Sequence, residues 1–388
     1  MNNLTRNSTK KTSQHIRTIP VVEIKAVTWN KDSHGLFDYE NSYYDMKKFV
    51  INGNVTLMRT NNEITSVAEN EVSEEIARVN ADPLITIAKD PVHGNKYTIE
   101  LQSANPYRKP PTYLIVRSLK CRDGRTQRGY DLSPGDVVKL GRVEHKIIEI
   151  QASSDPSTVK TIEDYNMLPM DTLFDANNQI IEVNEEGHLC KYCLMDRVSD
   201  NELENLMLFP CKCSGSSAGV HFGCLRNWIQ YKIIAKLSNN VASYQWKKLE
   251  CEICLEPLPR RVQYGPNIYE LITIERPASP YIIMEKVVED RKTSAFTLII
   301  PEEEKTINLG RGHQCDFRIS DISVSRVHAH LKFENGKFTV YDNDSKFGTL
   351  ILLTNNYPIR DEKAAVQIGR TVFTFVEKKA QNEDFSIE

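Results

Sequence analysis

Over residues 20–151 the apolar positions fall in short alternating or continuous runs: "KFVINGNVTLM" (48–58), "DPLITIAK" (82–89), "KYTIEL", "TYLIVRSL" and "DVVKLG". Asn-Gly, Pro-Tyr, Pro-Pro and Pro-Gly punctuation separates them, which predicts strands joined by turns and so a β-rich domain. The stretch "ENEVSEEIARV" (69–79) predicts one short helix. Residues 152–186 are polar, proline-bearing and aperiodic, the pattern of a linker. Strand runs return over 280–379 with "YIIMEKV", "AFTLIIP", "KTINLG", "VHAHLKF", "KFTVYD", "AVQIG" and "TVFTFVE", predicting a second all-β segment. Between the two β segments lies a cysteine-rich block, 187–258, followed by a connector at 259–279. Inside the block, "HFGCLRNWIQYKIIAKL" (221–237) sets Leu225, Trp228, Ile229, Ile233 and Leu237 at helical spacing, and "SNN" (238–240) predicts its end. Residues 1–19 and 380–388 read as polar tails, the first carrying basic residues but no apolar signal core.

Two hairpin patterns resemble each other. "VVKLGRVEHKII" (137–148) and "AVQIGRTVFTFV" (365–376) place Gly-Arg at the same offset between strand-like runs. Shared turn chemistry suffices to explain this; the sharper reading is a common sandwich ancestor for the two β segments.

With 388 residues, the chain is long enough for two or three domains, and 40% hydrophobic with 26% charged residues predicts globular units. The net charge of −3 gives no expectation of nucleic acid or an anionic membrane surface as partner. The longest apolar runs are strand-sized, so no membrane insertion is expected, and the chain reads as soluble and intracellular, cytoplasmic or nuclear. No Walker or dinucleotide-binding loop points to nucleotide chemistry.

The nine cysteines change the picture, because seven of them fall between 190 and 254. Cys190 and Cys193, Cys211 and Cys213, His221 and Cys224, and Cys251 and Cys254 form four pairs at ligand spacing. Eight thiolate or imidazole ligands suffice for two tetrahedral zinc ions with no open position, which is structural rather than catalytic zinc. Buried structural cysteines are the plain alternative, and the paired spacing argues against it. Lys191 and Lys212 lie where a cation offsets the excess thiolate charge.

The ligand order, the "CxC" second pair, the seven residues from Cys213 to His221 and "VHFGCLRNW" (220–228) resemble the RING-CH (RING-variant, MARCH-type) zinc finger. The resemblance implies cross-bracing, with Cys190, Cys193, His221 and Cys224 on one ion and Cys211, Cys213, Cys251 and Cys254 on the other. It also implies docking of a ubiquitin-conjugating enzyme through Tyr192 and Trp228, although a lone aromatic such as Trp228 is more often a plain core tryptophan. Three departures stand out. Glu252 lies where many ordinary RINGs carry a groove proline. Leu255 follows the last ligand, where active ligases often carry a basic residue, leaving Arg260 or Arg261 as substitutes. The family's usual transmembrane helices are missing from the pattern.

The string "NLGRGHQCDFRISDISVSRVHAHLKFENGKFTVYDNDSKFGTL" (308–350) resembles the forkhead-associated (FHA) domain, an eleven-stranded β-sandwich that reads phosphothreonine. The resemblance puts Arg311 and Ser325 on the phosphate, Arg326 and Lys346 beside it, and His328 as a brace for the loop. Phe347 departs from the family's common Asn, which bonds the peptide backbone. The 20–151 segment resembles a degenerate FHA relative without a ligand. Together these imply a mainly β, multidomain chain with a small zinc-stapled α+β finger between two β domains, similar to protist proteins that join a RING-CH finger to an FHA domain. The expected function is a RING-type ubiquitin-protein ligase without its own nucleophile. Its expected partners are a ubiquitin-conjugating enzyme and a phosphothreonine-containing protein. The alternative is a non-catalytic zinc-stapled adaptor for phosphoproteins; a PHD-like histone reader fits the spacing less well.

Overall fold

The structure, a computed structural model, describes residues 21–31, 36–60, 63–79, 81–89, 96–101, 111–116, 129–155, 157, 159–161, 173–178, 189–238, 240–287, 293–301, 305–359 and 364–378. The expected tails, and most of the expected 152–186 linker, lie outside these residues. The chain divides into two compact units.

The first unit joins residues 41–115 and the preceding N-terminal stretch to residues 353 onward. One sheet runs Tyr44–Ile51, Val21–Trp29, Thr371–Lys378, Ala364–Ile368, Thr112–Ile115; the other runs Glu63–Ala68, Val55–Thr60, Asp82–Lys89, Tyr97–Glu100, Tyr357–Ile359. Alternation drives this packing: every second side chain of a strand turns to the same face, and Ile24, Leu57, Ile85, Ile87, Tyr97, Ile99, Phe373 and Phe375 form a dry core between the sheets. The helix expected at 69–79 is present as a 3₁₀ turn, Glu69–Glu71, leading into Val72–Val79.

The second unit contains residues 116–352 and the short segment Asp38–Glu40. Its sandwich has one sheet in the order Thr293–Ile299, Tyr281–Val287, Val143–Gln151, Val137–Leu140, Thr349–Leu352. The other runs Phe317–Arg318, Ile307–Gly310, Ala329–Glu334, Lys337–Asp342, Tyr130–Asp131. Numbered from Tyr281, with the strands at 130–151 counted last, this is the strand order of the first unit. The final three strands of each sandwich therefore come from the far side of the chain. The expected contiguous blocks 20–151 and 280–379 divide differently: 130–151 completes the sandwich begun at 281, and 357–378 completes the one begun at 21.

The two Gly-Arg hairpins are what is exchanged. Gly141 (φ 61°) and Gly369 (φ 55°) each take the left-handed backbone at the first position of a two-residue turn, where a residue without Cβ fits the twist of the flanking strands. The hairpin at 137–151 is matched to its sandwich by side chains. The Arg142 amide donates to Ser323 Oγ (2.9 Å) and its guanidinium reaches Asp321 (3.4 Å). In the other, Thr371 Oγ1 meets Thr28 Oγ1 (2.9 Å) and accepts from the Arg59 guanidinium (2.8 Å).

The zinc-finger region is built into the second sandwich. Its helix covers Phe222–Lys232, ending five residues before the spacing predicts. Ile233 turns to extended backbone (φ −85°, ψ 127°) and Ile234–Leu237 becomes a strand. The apolar side chains at 233 and 237 fit a helical face, but the sheet captures the segment: Ile234–Leu237 pairs with Val241–Lys247, which in turn pairs with Thr293–Ile299 over seven residues. The Ser238 amide donates to the Val241 carbonyl (2.9 Å), so Ser238 closes a hairpin rather than ending a helix.

The expected connector is also ordered. Arg261–Tyr264 pairs in parallel with Leu173–Asp175 and antiparallel with Asn267–Glu270. Leu208, Val220, Phe222, Leu225 and Ile229 of the finger share one core with Trp246, Tyr281, Ile283 and Leu298 of the sheet. Burying a large apolar side chain stabilises by about 1.5–3 kcal/mol, so finger and sandwich support each other.

Candidate zinc centres and phosphate pocket

Two Cys-x-x-Cys knuckles open and close the finger, with the same local geometry. The Leu194 amide donates to the Cys190 carbonyl (2.8 Å) and the Leu255 amide to the Cys251 carbonyl (2.9 Å). Cys190 N–H meets the Met195 carbonyl (3.0 Å) and Cys251 N–H the Glu256 carbonyl (2.9 Å). Both leucines sit at φ 59° and are largely exposed. The turn throws both cysteine side chains of each pair to one side.

Cys190, Cys193, His221 and Cys224 gather their ligand atoms within 4.8 Å of one another, and so do Cys211, Cys213, Cys251 and Cys254. The sets interleave along the chain, so each ion would staple two distant segments. Their spacing fits the metal: Cys213 Sγ and Cys251 Sγ are 3.6 Å apart and His221 Nδ1 lies 3.4 Å from Cys193 Sγ. Tetrahedral Zn–S bonds of about 2.3 Å place two sulfurs about 3.8 Å apart.

The imidazole is oriented from outside, its Nε2–H donating to the Asp196 carbonyl (2.9 Å) and leaving Nδ1 toward the thiols. The Tyr192 and His221 amides both point at Cys190 Sγ (3.4 Å each). Lys191 projects from the first knuckle to the second set, its Nζ 3.5 Å from Cys211 Sγ and 3.6 Å from Cys251 Sγ. Burial works against the Lys191 ammonium, yet the thiolates of Cys211 and Cys251 raise its pKa above the ordinary lysine value. Lys212 instead pairs with Glu256 (2.6 Å). These two closed sets fit two zinc ions, which supply rigidity rather than an open Lewis-acid position.

Tyr192 and Trp228 come together half-buried against the finger's core, stacked at 5.8 Å with 10° between rings. Burial, and secondarily Cys251, pushes the Tyr192 phenol well above the usual tyrosine range. Lys232 lies over the Trp228 ring (4.9 Å) and pairs with Glu252 (2.9 Å). Beside them runs a groove of about 830 Å³ with Trp228, Tyr231, Ile234, Trp246, Leu249 and Leu255 among its lining. Neither basic residue considered as a substitute for Leu255 is placed for that role: Arg260 is paired with Glu285, and Arg261 is buried in its strand.

In the sandwich, three loops bring the candidate phosphate residues together. The Arg311 amide donates to the Ser325 carbonyl (3.0 Å) and the Gly312 amide to the Arg326 carbonyl (2.9 Å). Gly310 permits this approach, since a Cβ there would stand 2.4 Å from the Arg326 carbonyl oxygen. The Lys346 amide donates to Ser325 Oγ (3.1 Å), leaving the hydroxyl proton to be given to an anion. His328, fully buried, ties the loops: its Nδ1 accepts from the Ser325 amide (3.0 Å) and its Nε2–H donates to the Gly348 carbonyl (3.0 Å). The Asp342 carboxylate holds the third loop through Ser345 N–H (3.1 Å), Ser345 O–H (2.5 Å) and Thr349 O–H (2.8 Å). Arg311, Arg326 and Lys346 are exposed residues on the loops that meet at Ser325.

Two contributors carry no motif signal. Arg142 steadies the loop before Ser325 through Asp321. Burial opposes Asp321's charge, but the Ser323 hydroxyl and amide, with Arg142, hold its pKa below the usual carboxylate value. Asp38 meets Lys346 Nζ (3.4 Å) from a segment over 300 residues away in sequence.

The interleaved ligand sets and the short helix between them are those of a RING-variant finger, and the braced loops are those of an FHA sandwich. Residues 190–254 match the RING-variant domain family and residues 307–372 the FHA domain family. The latter match runs past Leu352 into strands that belong to the first unit. A stretch of 119 residues, 31% of this chain, is 34% identical to mouse "E3 ubiquitin-protein ligase MARCHF7", covering 14% of that protein. Similarity to the yeast (Saccharomyces cerevisiae) "ERAD-associated E3 ubiquitin-protein ligase DOA10" is 31% over 86 residues, 22% of this chain and 6% of that protein. The Mycobacterium tuberculosis "Glycogen accumulation regulator GarA" is 33% identical over 86 residues, 21% of this chain and 51% of that protein. Among the described residues, no helix is long and apolar enough to cross a membrane.

Proposed function

We propose that this protein is a RING-type ubiquitin-protein ligase whose finger docks a ubiquitin-conjugating enzyme and whose FHA pocket selects phosphothreonine-containing partners. The observation that carries the reading is the stacked Tyr192–Trp228 pair on a finger that gathers two closed ligand sets. A closed site offers no metal-bound nucleophile, so the finger acts by position: it holds the conjugating enzyme's thioester near an acceptor lysine, and orientation alone raises the transfer rate. Tyr192 and Trp228 provide the apolar docking face. Arg311, Ser325 and Arg326, with Lys346 beside them, supply a charge-assisted cradle for a phosphate.

The alternative of a non-catalytic phosphoprotein adaptor is favoured by one observation. Leu255 follows the last ligand, while Arg260 is engaged by Glu285 and Arg261 is buried. Incubating zinc-loaded protein with activating enzyme, a panel of conjugating enzymes, ATP and ubiquitin, beside Trp228→Ala, separates the two. Ubiquitin chains lost in Trp228→Ala support the ligase; silence across the panel from a folded, zinc-loaded protein supports the adaptor. For the pocket, Arg311→Ala should weaken phosphothreonine-peptide binding by at least tenfold, a charged contact contributing about 1.5–3 kcal/mol.

A further inference from the structure

We propose that Asp38 sets the affinity of the phosphate pocket by holding Lys346 to itself; this rests on the phosphothreonine reading of that pocket. The segment Asp38–Glu40 stands apart from its chain neighbours by belonging to the second unit. It forms a turn closed on Asp38, whose Oδ1 accepts the Glu40 amide (3.1 Å). Asp38 Oδ2 faces Lys346 Nζ at 3.4 Å, with the Asp38 side chain 13% exposed and that of Lys346 47%. The Tyr39 amide donates to the Lys346 carbonyl (2.9 Å). The Tyr39 ring covers Gly348, where an added Cβ would lie 2.8 Å from it.

Gly348 is the residue whose carbonyl receives the His328 Nε2–H, and Lys346 is the residue whose amide reaches Ser325 Oγ. The turn is therefore fastened to the same backbone that shapes the cradle.

The electrostatic consequence follows directly. A free lysine beside the cradle adds one positive charge facing a phosphate that carries between one and two negative charges near neutral pH. A lysine paired with a carboxylate adds none, and to recruit it the phosphate must compete with Asp38. Asp38 also brings a negative charge close to the incoming anion, which disfavours it further. The pocket thus binds through Arg311, Ser325 and Arg326, and Lys346 is held in reserve by Asp38. Asp38→Asn tests this cleanly, because the amide oxygen still accepts the Glu40 N–H and preserves the turn while the charge is removed.

The experiment is a double-mutant cycle on the full chain, read by titration with a phosphothreonine peptide selected from a library on the wild-type protein. Asp38→Asn should tighten binding about twofold to fivefold, the range of a partly exposed ion pair. In a Lys346→Met background the same substitution should give a clearly smaller gain, the part left by direct repulsion between Asp38 and the anion. No gain in Asp38→Asn, or an equal gain with Lys346→Met present, overturns the proposal. A ligand-free readout judges the pairing separately. Acylation of Lys346, followed by mass spectrometry, should be slower in the wild type than in Asp38→Asn, and equal rates overturn the proposal. If the wild type fails to distinguish phosphorylated from unphosphorylated peptide, the phosphothreonine reading fails, and the acylation rates still decide whether Asp38 holds Lys346.

Discussion

The strands Ile307–Gly310 and Phe317–Arg318 of the second sandwich are separated by a six-residue loop carrying Arg311, and its next loop carries Ser325 and His328. In the first sandwich the matching strands, Val55–Thr60 and Glu63–Ala68, have only positions 61 and 62 between them, and the next connection is spent on the helix Val72–Val79. The strand orders agree and the cores agree in kind, but the loops do not. A sandwich holds loops at its rim, and the loops decide whether an anion can be gripped. The hairpins show the same contrast in the core. With Gly141 aligned on Gly369, His145 falls at the place of Phe373 and Ile147 at that of Phe375, and all four are buried. One sandwich therefore keeps a titratable ring where the other keeps a phenyl.

The largest way to break this comparison is to take the metal away. Structural zinc in small fingers contributes about 10–16 kcal/mol of apparent binding energy near neutral pH. Cys211→Ser, or chelation, should unfold the finger and weaken the second sandwich that shares its core. The first sandwich should keep its own transition, followed by zinc analysis and by hydrogen exchange of 21–115 against 189–299.

A smaller effect is expected at the junction of connector and sheet. The Arg276 guanidinium donates to both carboxylate oxygens of Glu149 (2.8 and 3.0 Å), and the Tyr281 hydroxyl joins the same carboxylate. Glu149 is nearly buried and Arg276 about one-third exposed. Arg276→Met, which leaves Glu149 without its cation, should cost about 2–4 kcal/mol, somewhat below or within the range for breaking a fully buried pair. Denaturant unfolding of the second unit measures it.

The hairpin contrast makes a pH prediction. Burial, aided by nearby Lys286, pulls the His145 pKa down to about 4, against about 6.5 in an unfolded chain. A group whose folded pKa is depressed contributes its stability above the unfolded value and loses it as pH falls. The second sandwich should hold full stability above about pH 6.5 and lose up to about 3 kcal/mol on descending to pH 4. His145→Phe, copying the Phe373 position, should flatten that acid limb; an unchanged limb in thermal scans from pH 7 to 4 would count against it.

The smallest effect should come from Arg142. Arg142→Ala removes the Asp321 contact but leaves the backbone bond to Ser323, so phosphopeptide affinity should fall only about twofold to fivefold, with global stability changed by under 1 kcal/mol, as for other partly exposed ion pairs.

Much of the finger was readable in advance because metal chemistry admits few residue types. Thiolate and imidazole ligands at one- and two-residue spacing identify themselves without any long-range information. The strands were readable from alternation, and Arg311, Ser325 and Lys346 from their motif, since each lies in a loop whose local sequence carries the turn chemistry. The helix end at Lys232 was not, because Ile233 and Leu237 suit a helical face and a strand alike; pairing with Val241–Lys247 decided it. The availability of Arg260 was not readable either, since its partner Glu285 lies beyond the connector.

By itself, then, the sequence determined most of the elements and one piece of chemistry: two zinc-ligand sets, the start of a helix, and two families of strands. Only the tertiary structure decided which Gly-Arg hairpin completes which sandwich, that the finger's hairpin extends a sandwich sheet, and that Asp38 reaches Lys346. The physical reason is common to all three. Strand alternation and turn residues fix local geometry but are the same in both hairpins, so the choice of partner rests on side chains such as Arg142, Ser323 and Thr371 that meet across the fold and leave no periodic trace in the chain.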